Sequence, residues 1–382
     1  MASKYELSIS TDYVPDWTYI EAIREIFQNA LDNEIANPEN KMGFDYDEEN
    51  QRLTVSNKTS VLNPESLLLG SSTKRDDKDT IGKHGEGYKI AFMVLLREGK
   101  DIKVYNYGAR EIWETRLVKA KRYNNRLVPT IFINKQAIWS KVPNSDLTIT
   151  IDNITPEEYS ELVNKNLHLR DNVNYFEVPE NGRILTDKEE KGNIYVKGLF
   201  VCKNKDIEYG YDFEPTLIEL DRDRKLVDTF NIAWQSSAMW RYAFAKDFKR
   251  DEMIRMIKEG KEDTKYIKQR NWTFNSGIVE GNTVEELLAD ELAKDFLENH
   301  GENSIPVKDN RELTLVNQSK AKPVLVNEVV AEYIRQSTAV RVMEVPQEET
   351  LREQFQKLLD DIESKLTDEE VERFTQLINK LD

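Results

Sequence analysis

The sequence predicts an α+β protein: helices on a mixed, mostly antiparallel sheet, then a second α/β region, then a C-terminal α/β and helical region. Three observations predict it. A helical stripe near the N-terminus is followed by a series of strand-like runs, an order that suggests an α/β sandwich and not a doubly wound parallel sheet. Further along, helix and strand patterns alternate over about residues 283–345. The last segment, from Pro346, reads as two amphipathic helices.

The elements follow in order. Ile20, Ile23, Phe27, Ala30 and Leu31 fall on one helical stripe between about Trp17 and Ile35, with Pro38 after the end. MGFDYD, a turn at Glu48–Asn50, and RLTVSN read as a hairpin. Pro64 opens a short helix, PESLLLG, which Gly70 ends. A polar loop, SSTKRDDKDT, leads into IGKHGEGYKI, Ile81 to Ile90. The runs IKVYNYG, EIWETRLVKA, TIFINK and LTITI read as strands. TPEEYSELV starts a helix with a capping box at Thr155 and Glu158. NIYVKGLFV and LIELDRDRKLVDTFNI form the next block. Then come the helix EELLADELAKDFLENHG, the strand-like IPV, LTLV and PVLV, and the helix NEVVAEYIRQS. In the tail, Leu351, Phe355, Leu358, Leu359 and Ile362 stripe one helix, and Val371, Phe374, Leu377, Ile378 and Leu381 the other. Thr367 and Glu370 form a capping box between them. This hairpin either closes the third region or serves dimerisation. The expected domains are 1–165, 166–280, 281–345 and the helical hairpin 346–382.

Bulk properties narrow the function classes. The chain has 382 residues, 32% charged and 39% hydrophobic, the balance of a soluble globular protein with a substantial core. No apolar run of about 18 residues is present, so no membrane partner is expected. MASKYELSIS lacks an apolar signal core, and the single Cys202 excludes an internal disulfide framework. A cytoplasmic location is the expectation. The net charge of −16 disfavours DNA as a partner, because affinity for DNA comes mostly from Lys and Arg on phosphates.

Two local patterns carry chemistry. Gly82, Gly85 and Gly87 stand in a G-x-x-G-x-G spacing before an apolar, helix-competent run. Glycine lets backbone N–H groups approach an anion, and a helix beginning there aims its free N–H groups and positive dipole end at the same spot. Together they make a phosphate cradle. In the first helix, Glu25, Asn29 and Asp32 share one face by their i, i+4, i+7 spacing, opposite Ile23, Phe27 and Leu31. Read alone, that face is an ordinary solvated one. Facing a phosphate cradle, the carboxylate can orient a water, and the amide oxygen can complete the oxygen shell of Mg²⁺.

An E-x-x-x-N-x-x-D helix, a strand ending in a polar residue, and I-G-x-x-G-x-G opening a helix resemble the GHKL ATPases. That superfamily comprises gyrase, HtpG-type chaperones, histidine kinases and MutL. The resemblance spans about residues 15–155 and implies a Bergerat-type sandwich. NPESLLLGSSTKRDDKDTIGKHGEGYKIAF is most similar to HtpG and MutL members. The resemblance implies ATP and Mg²⁺ as ligands. It makes Glu25 the general base and gives Mg²⁺ and the phosphates to Asn29. Asp32 falls near the base or ribose, and Gly82, Gly85 and Gly87 form the lid. Lys74 and Lys89 are the nearest cations, and His84 is a passive lid residue. One of Thr148 and Thr150 matches the family threonine beyond the nucleotide pocket. The chain departs from the family where D-x-G-x-G is usual: RLTVSNKTSVL offers Asn57 and no glycine. An asparagine can accept from the adenine amino group or donate to a carbonyl such as that of guanine. A strand-end turn asparagine is the structural alternative.

IYVKGLFV resembles a strand of the HtpG middle domain, and LDRDRKLV then places Arg224 where that family donates an arginine to the γ-phosphate. A salt-bridge cluster with Asp221, Arg222, Asp223 and Lys225 is the alternative. The resemblance implies an ATPase acting as a nucleotide-driven clamp on a protein partner or client, with a homodimer as the closed form. Two other readings are a nucleotide-binding regulatory protein with little turnover and a MutL- or topoisomerase-like DNA-associated ATPase. No helix with a phosphorylatable histidine precedes the site; His168 and His300 lie downstream in polar contexts, against a histidine kinase. The layout resembles ATP-binding proteins of bacteria and their large phages.

Overall fold

The computed structural model describes residues 3–67, 87–121, 124–135, 145–218, 229–268, 283–347 and 350–381. Lys74, Gly82, His84, Gly85 and Arg224 lie outside the described residues, as do the last three residues of PESLLLG and the whole of LDRDRKLV. The chain divides into two units, residues 1–239 and 240–382.

The first unit begins with β1 (Ser3–Glu6) and α1 (Tyr19–Ala36). Thr18 and Glu21 form a reciprocal capping box that starts α1 where the stripe begins. Then follow β2 (Met42–Asp47), β3 (Arg52–Asn57), α2 (Gly87–Arg97), β4 (Asp101–Asn106), β5 (Glu111–Ala120), β6 (Arg126–Lys135) and β7 (Leu147–Asp152). The seven strands form one sheet in the order β1-β6-β5-β4-β7-β3-β2, and every neighbouring pair is antiparallel. Alternation sets its faces. Leu53 and Val55 of β3, Ile102 and Val104 of β4, and Ile149 and Ile151 of β7 are buried in one core. Ala22, Ile23, Ile26 and Ala30 of α1 and Ile90 to Leu95 of α2 complete that core. Helices on an antiparallel sheet are thus observed as the sequence predicts.

A second sheet follows α3 (Pro156–Asn164), which starts on the Thr155–Glu158 capping box. It consists of β8 (Tyr175–Val178), β9 (Gly182–Leu185), β10 (Asn193–Val196), β11 (Leu199–Lys203) and β12 (Gly210–Phe213), in the order β11-β10-β12-β9-β8. IYVKGLFV is therefore two strands and not one. Lys197 and Gly198 have φ of 48° and 77°, the double positive φ of a tight hairpin turn. The Gly198 N–H donates to Asp212 at 2.6 Å and closes the turn onto β12.

The helix α4 (Thr229–Ala245) leads the chain into the second unit. That unit holds α5 (Arg250–Glu259), α6 (Val284–His300), β13 (Ser304–Val307), α7 (Asn310–Asn317), β14 (Lys322–Leu325) and α8 (Glu328–Gln336). It ends in α9 (Leu351–Ile362) and α10 (Asp368–Ile378). β13 and β14 pair in parallel. LTLV, expected as a strand, lies in α7. Asp309 accepts from the Glu312 N–H at 2.9 Å, and this cap fixes a helix on a run too short to show its period. Among the described residues no helix is long and apolar enough to cross a membrane.

Candidate functional site

Helix α1 is covered on more sides than its apolar stripe requires. Its hydrophobic side enters the core of the seven-stranded sheet. Beside that side, Arg24 Nη1 donates to the Phe200 carbonyl of β11 at 3.1 Å, and the Phe27 ring lies 5.8 Å from the ring of His168. Helix α2 packs on α1 as well. The polar positions are consequently enclosed: Glu25 is 1% exposed, Gln28 1% and Asp32 0%. The solvated-face reading of Glu25 and Asp32 is excluded. Carboxylates are seldom buried this completely without a structural or functional demand.

The closest approach in the site is between Gly87 and α1. Gly87 is the first residue of α2. A Cβ added there would stand 2.8 Å from Glu25 Oε2 and 3.2 Å from Asn29 Nδ2. A side chain there would require the Glu25 carboxylate to shift. The N-terminal turn of α2, with its positive dipole end, is therefore set directly against Glu25 and Asn29. Of the three lid glycines expected from the sequence, Gly87 is the one among the described residues, and it meets both helix residues paired with it.

The amide groups are oriented. Asn29 Nδ2 donates to the Glu25 carbonyl one turn back at 2.8 Å. Its Oδ1 makes no hydrogen bond among the described residues, which leaves a neutral oxygen beside the Glu25 carboxylate. Arg24 Nη2 lies 3.8 Å from Glu25 Oε1. Tyr88, next to Gly87, has its phenol pushed above the ordinary value by burial first and by the Asp32 carboxylate second. Lys89 is 3% exposed, so it is not a solvated lysine.

Asn57 ends β3 on the helix-facing side and is 3% exposed. Its Nδ2 donates to Ala30 O at 2.9 Å and to Asn40 O at 3.0 Å. Both amide hydrogens are thereby spent on backbone carbonyls. Its Oδ1 makes no hydrogen bond among the described residues. Asn57 thus holds the end of β3 to α1 with its nitrogen and presents an acceptor with its oxygen. An aspartate could not make the two donated bonds, which gives a local reason for the departure from the family pattern.

Thr148 and Thr150 are not brought to this side. Leu147, opposite Asn57 in register, shares the helix-facing side with Ile149 and Ile151. The two-residue alternation puts Thr148 and Thr150 on the other face of the sheet. Neither threonine can stand beside Asn57, and the expected contact of Thr148 with the ligand is corrected accordingly.

Asn106, at the end of β4, was not singled out from sequence. It is 0% exposed, donates to Leu62 O at 2.7 Å and accepts from Leu62 N at 3.3 Å. It fixes the chain just before the segment that leads to the glycine motif. Its signal in the sequence is only a polar residue on the buried side of a strand alternation.

No family model matches the chain, and no curated protein matches it. Solved structures do. One is the ATPase region of Saccharomyces cerevisiae topoisomerase II, at 15% identity and a TM-score of 0.29, covering 47% of this chain and 62% of that one. The same region bound to ICRF-187 (dexrazoxane) matches at 14% identity and a TM-score of 0.29, over 48% of this chain and 62% of that one. The ATPase and transducer domains of DNA topoisomerase II from Balamuthia mandrillaris match at 13% identity and a TM-score of 0.29, over 61% and 67%. The chain thus spans about three fifths of the first two of these structures. At such TM-scores the likenesses carry no weight in assigning a function, and the chain's own residues must carry the reading.

Proposed function

We propose that this chain is a GHKL-type ATPase that binds Mg-ATP between α1, the start of α2 and the end of β3. The observation that carries the reading is the approach of Gly87 to Glu25 and Asn29, closer than any Cβ allows. A glycine-opened helix N-terminus, a buried carboxylate and an amide oxygen converge there. Phosphoryl transfer to water needs those three parts: donors for phosphate charge, a base for water and an oxygen ligand for the metal.

In this mechanism the N–H groups of the first turn of α2 bind phosphate oxygens. Glu25, held against Gly87, accepts the proton of the attacking water. Its burial excludes bulk water and strengthens its interaction with the reacting groups. Asn29 fits as an Mg²⁺ ligand, because Oδ1 is its unspent end and Mg²⁺ favours hard oxygen donors. When bound, Mg²⁺ offsets charge on the phosphates. Gly82 and Gly85 complete the lid, Lys74 and Lys89 add positive charge, and Asp32 lies on the base and ribose side. Arg224 supplies a further cation to the γ-phosphate.

Asn57 selects the base. With its N–H₂ spent on Ala30 and Asn40, only its oxygen faces a ligand, so it accepts from an amino group. Adenine offers one at that edge and guanine offers a carbonyl. The sequence leaves that choice open, and the hydrogen bonds favour ATP.

The bond from Arg24 to Phe200 gives nucleotide a route to the second sheet, since Arg24 is adjacent to Glu25 on α1. Closure of a clamp on a protein partner, with the chain as a dimer, follows that route. The test is phosphate release from Mg-ATP. Glu25→Ala should lower turnover about a hundredfold or more, the usual scale for a general base. Unchanged turnover would remove Glu25 from the mechanism. Tight binding of a non-hydrolysable analogue with no phosphate release by the wild-type chain would favour the regulatory reading instead.

A further inference from the structure

The turn that follows Asn57 is held more firmly than a surface turn requires. Lys58, Thr59, Ser60 and Val61 stand where x-G-x-G stands in the family pattern. Thr59 nevertheless has a left-handed φ of 46°, which a β-branched residue rarely adopts. Asp146, 5% exposed, holds it there. Its Oδ1 accepts from the Thr59 N–H at 3.3 Å, and its Oδ2 pairs with Lys58 Nζ at 2.7 Å. Val61 closes against Gly108, where a Cβ would stand 2.6 Å from Val61 Cγ2. Strain of this kind persists where the surroundings impose it, and it gathers at ligand sites. What the turn delivers is Ser60. Asn33 Nδ2 donates to Ser60 Oγ at 2.7 Å, and Asn33 Oδ1 accepts from Asn40 Nδ2 at 3.1 Å. Asn33 continues the row of Glu25 and Asn29 on α1 at i, i+4, i+8. The Ser60 hydroxyl is therefore fixed beside the polar face of α1. Asn33 takes one of its lone pairs, and its hydrogen has no acceptor among the described residues.

Asn57 and Ser60 meet α1 at neighbouring points: Asn57 at Ala30 O, and Ser60 at the Asn33 side chain three residues on. The two groups they present differ in kind. Asn57 offers an oxygen that accepts, and Ser60 offers a hydroxyl whose unspent hydrogen donates. The Watson–Crick edge of adenine carries the matching pair side by side, an amino donor and the ring nitrogen N1 as acceptor. The same edge of guanine carries the reverse, a carbonyl and an N1–H. We propose that Ser60 is a second specificity-determining residue of the nucleotide site, donating to adenine N1, with Asn33 positioning its hydroxyl. The inference rests on the nucleotide reading above and extends it, because Asn57 alone reads the amino group and not the ring. A site built to hydrogen-bond a ligand atom discriminates against the analogue that lacks it. If Ser60 served only to satisfy Asn33, affinity would not depend on that ring nitrogen through Ser60.

The experiment is titration calorimetry of the full chain in Mg²⁺ with ADP and with 1-deaza-ADP, which keeps the amino group and replaces N1 by C–H. Neither ligand has a γ-phosphate to lose during the titration. The wild-type chain should bind 1-deaza-ADP about three- to tenfold more weakly than ADP, the scale of one neutral hydrogen bond. Ser60→Ala should lose about that factor for ADP and nothing for 1-deaza-ADP. Ser60→Thr keeps the hydroxyl and should keep the preference for ADP. Far-ultraviolet dichroism on the same samples checks that each variant is folded. A Ser60→Ala chain that prefers ADP as the wild type does, or that loses both ligands equally, would overturn the proposal. So would a wild-type chain that binds the two ligands equally, although the nucleotide reading would then stand. A wild-type chain that binds neither would overturn the nucleotide reading and this inference with it.

Discussion

Helix α1 and the hairpin α9–α10 break the usual rule of burial in opposite directions. α1 encloses two carboxylates and an amide, with Glu25 and Asp32 at 1% or less. The hairpin leaves Leu351 and Leu377 more than half exposed. Both are amphipathic helices whose apolar stripes can be read from sequence. They differ in what surrounds them. α1 is covered by a sheet core, by α2 and by Phe200 and His168 of the second layer, so even its polar positions lose water. Among the described residues the hairpin packs mainly on its own other half. A buried carboxylate and an exposed leucine stripe are each costly when idle.

That comparison breaks first at Gly87. Gly87→Ala would push a methyl group to within 2.8 Å of Glu25 Oε2. Analogue binding should fall at least about tenfold, with turnover falling further, because small misplacements in a phosphoryl-transfer site are amplified. Wild-type binding and turnover in Gly87→Ala, measured by calorimetry and phosphate release, would mean that the approach is only packing.

The comparison sharpens next at Asn57. Asn57→Asp removes two donated hydrogen bonds and faces a carboxylate toward Ala30 O and Asn40 O. The expected loss is about 2–4 kcal/mol in denaturant unfolding of the first unit, from two lost hydrogen bonds and a buried carboxylate set against carbonyl oxygens. A variant as stable as wild type would show that Asn57 is present for the ligand alone. Competition between ATP and GTP in the wild-type chain should favour ATP.

The smallest effect lies in the second unit and tests an ordinary surface pair against both special regions. Arg335 donates to both carboxylate oxygens of Glu312, at 3.0 and 2.6 Å. The Arg335 guanidinium holds the Glu312 carboxyl below its usual range. A lowered folded-state value adds stability above the unfolded value of about 4.3, and that stability is lost as pH falls through the folded value. Partial exposure limits it to about 1 kcal/mol or less. Glu312→Gln should therefore flatten the acid limb of the second unit's melting profile below about pH 4.5. An unchanged acid limb would show that the pair contributes nothing.

Legibility from sequence followed locality. Glu25, Asn29 and the Gly87 helix start could be found because each is a short pattern with a fixed period. β5 was found whole, since EIWETRLVKA is long and bounded. The second sheet was not found as such. Its strands are four or five residues long, and β10 pairs in parallel with β12 across an intervening strand, a contact no local pattern announces. LTLV was misread for a related reason: four residues cannot distinguish a period of two from one of 3.6, and the deciding cap at Asp309 is polar. The burial of Asp32 and the row partners of Asn57 needed the tertiary structure. Thr148 fell to register, because one residue's shift reverses a strand's faces.

The central claim of the proposed function is that Glu25, held against Gly87, is the base for water attacking a phosphate bound at the start of α2. Phosphate release from Mg-ATP by the wild-type chain and by Glu25→Gln, with analogue affinity measured on the same samples, tests it most directly. The account predicts measurable release by the wild-type chain, a loss of about a hundredfold or more in Glu25→Gln, and analogue binding that is retained. Equal release by the two proteins, or no analogue binding by either, would contradict it.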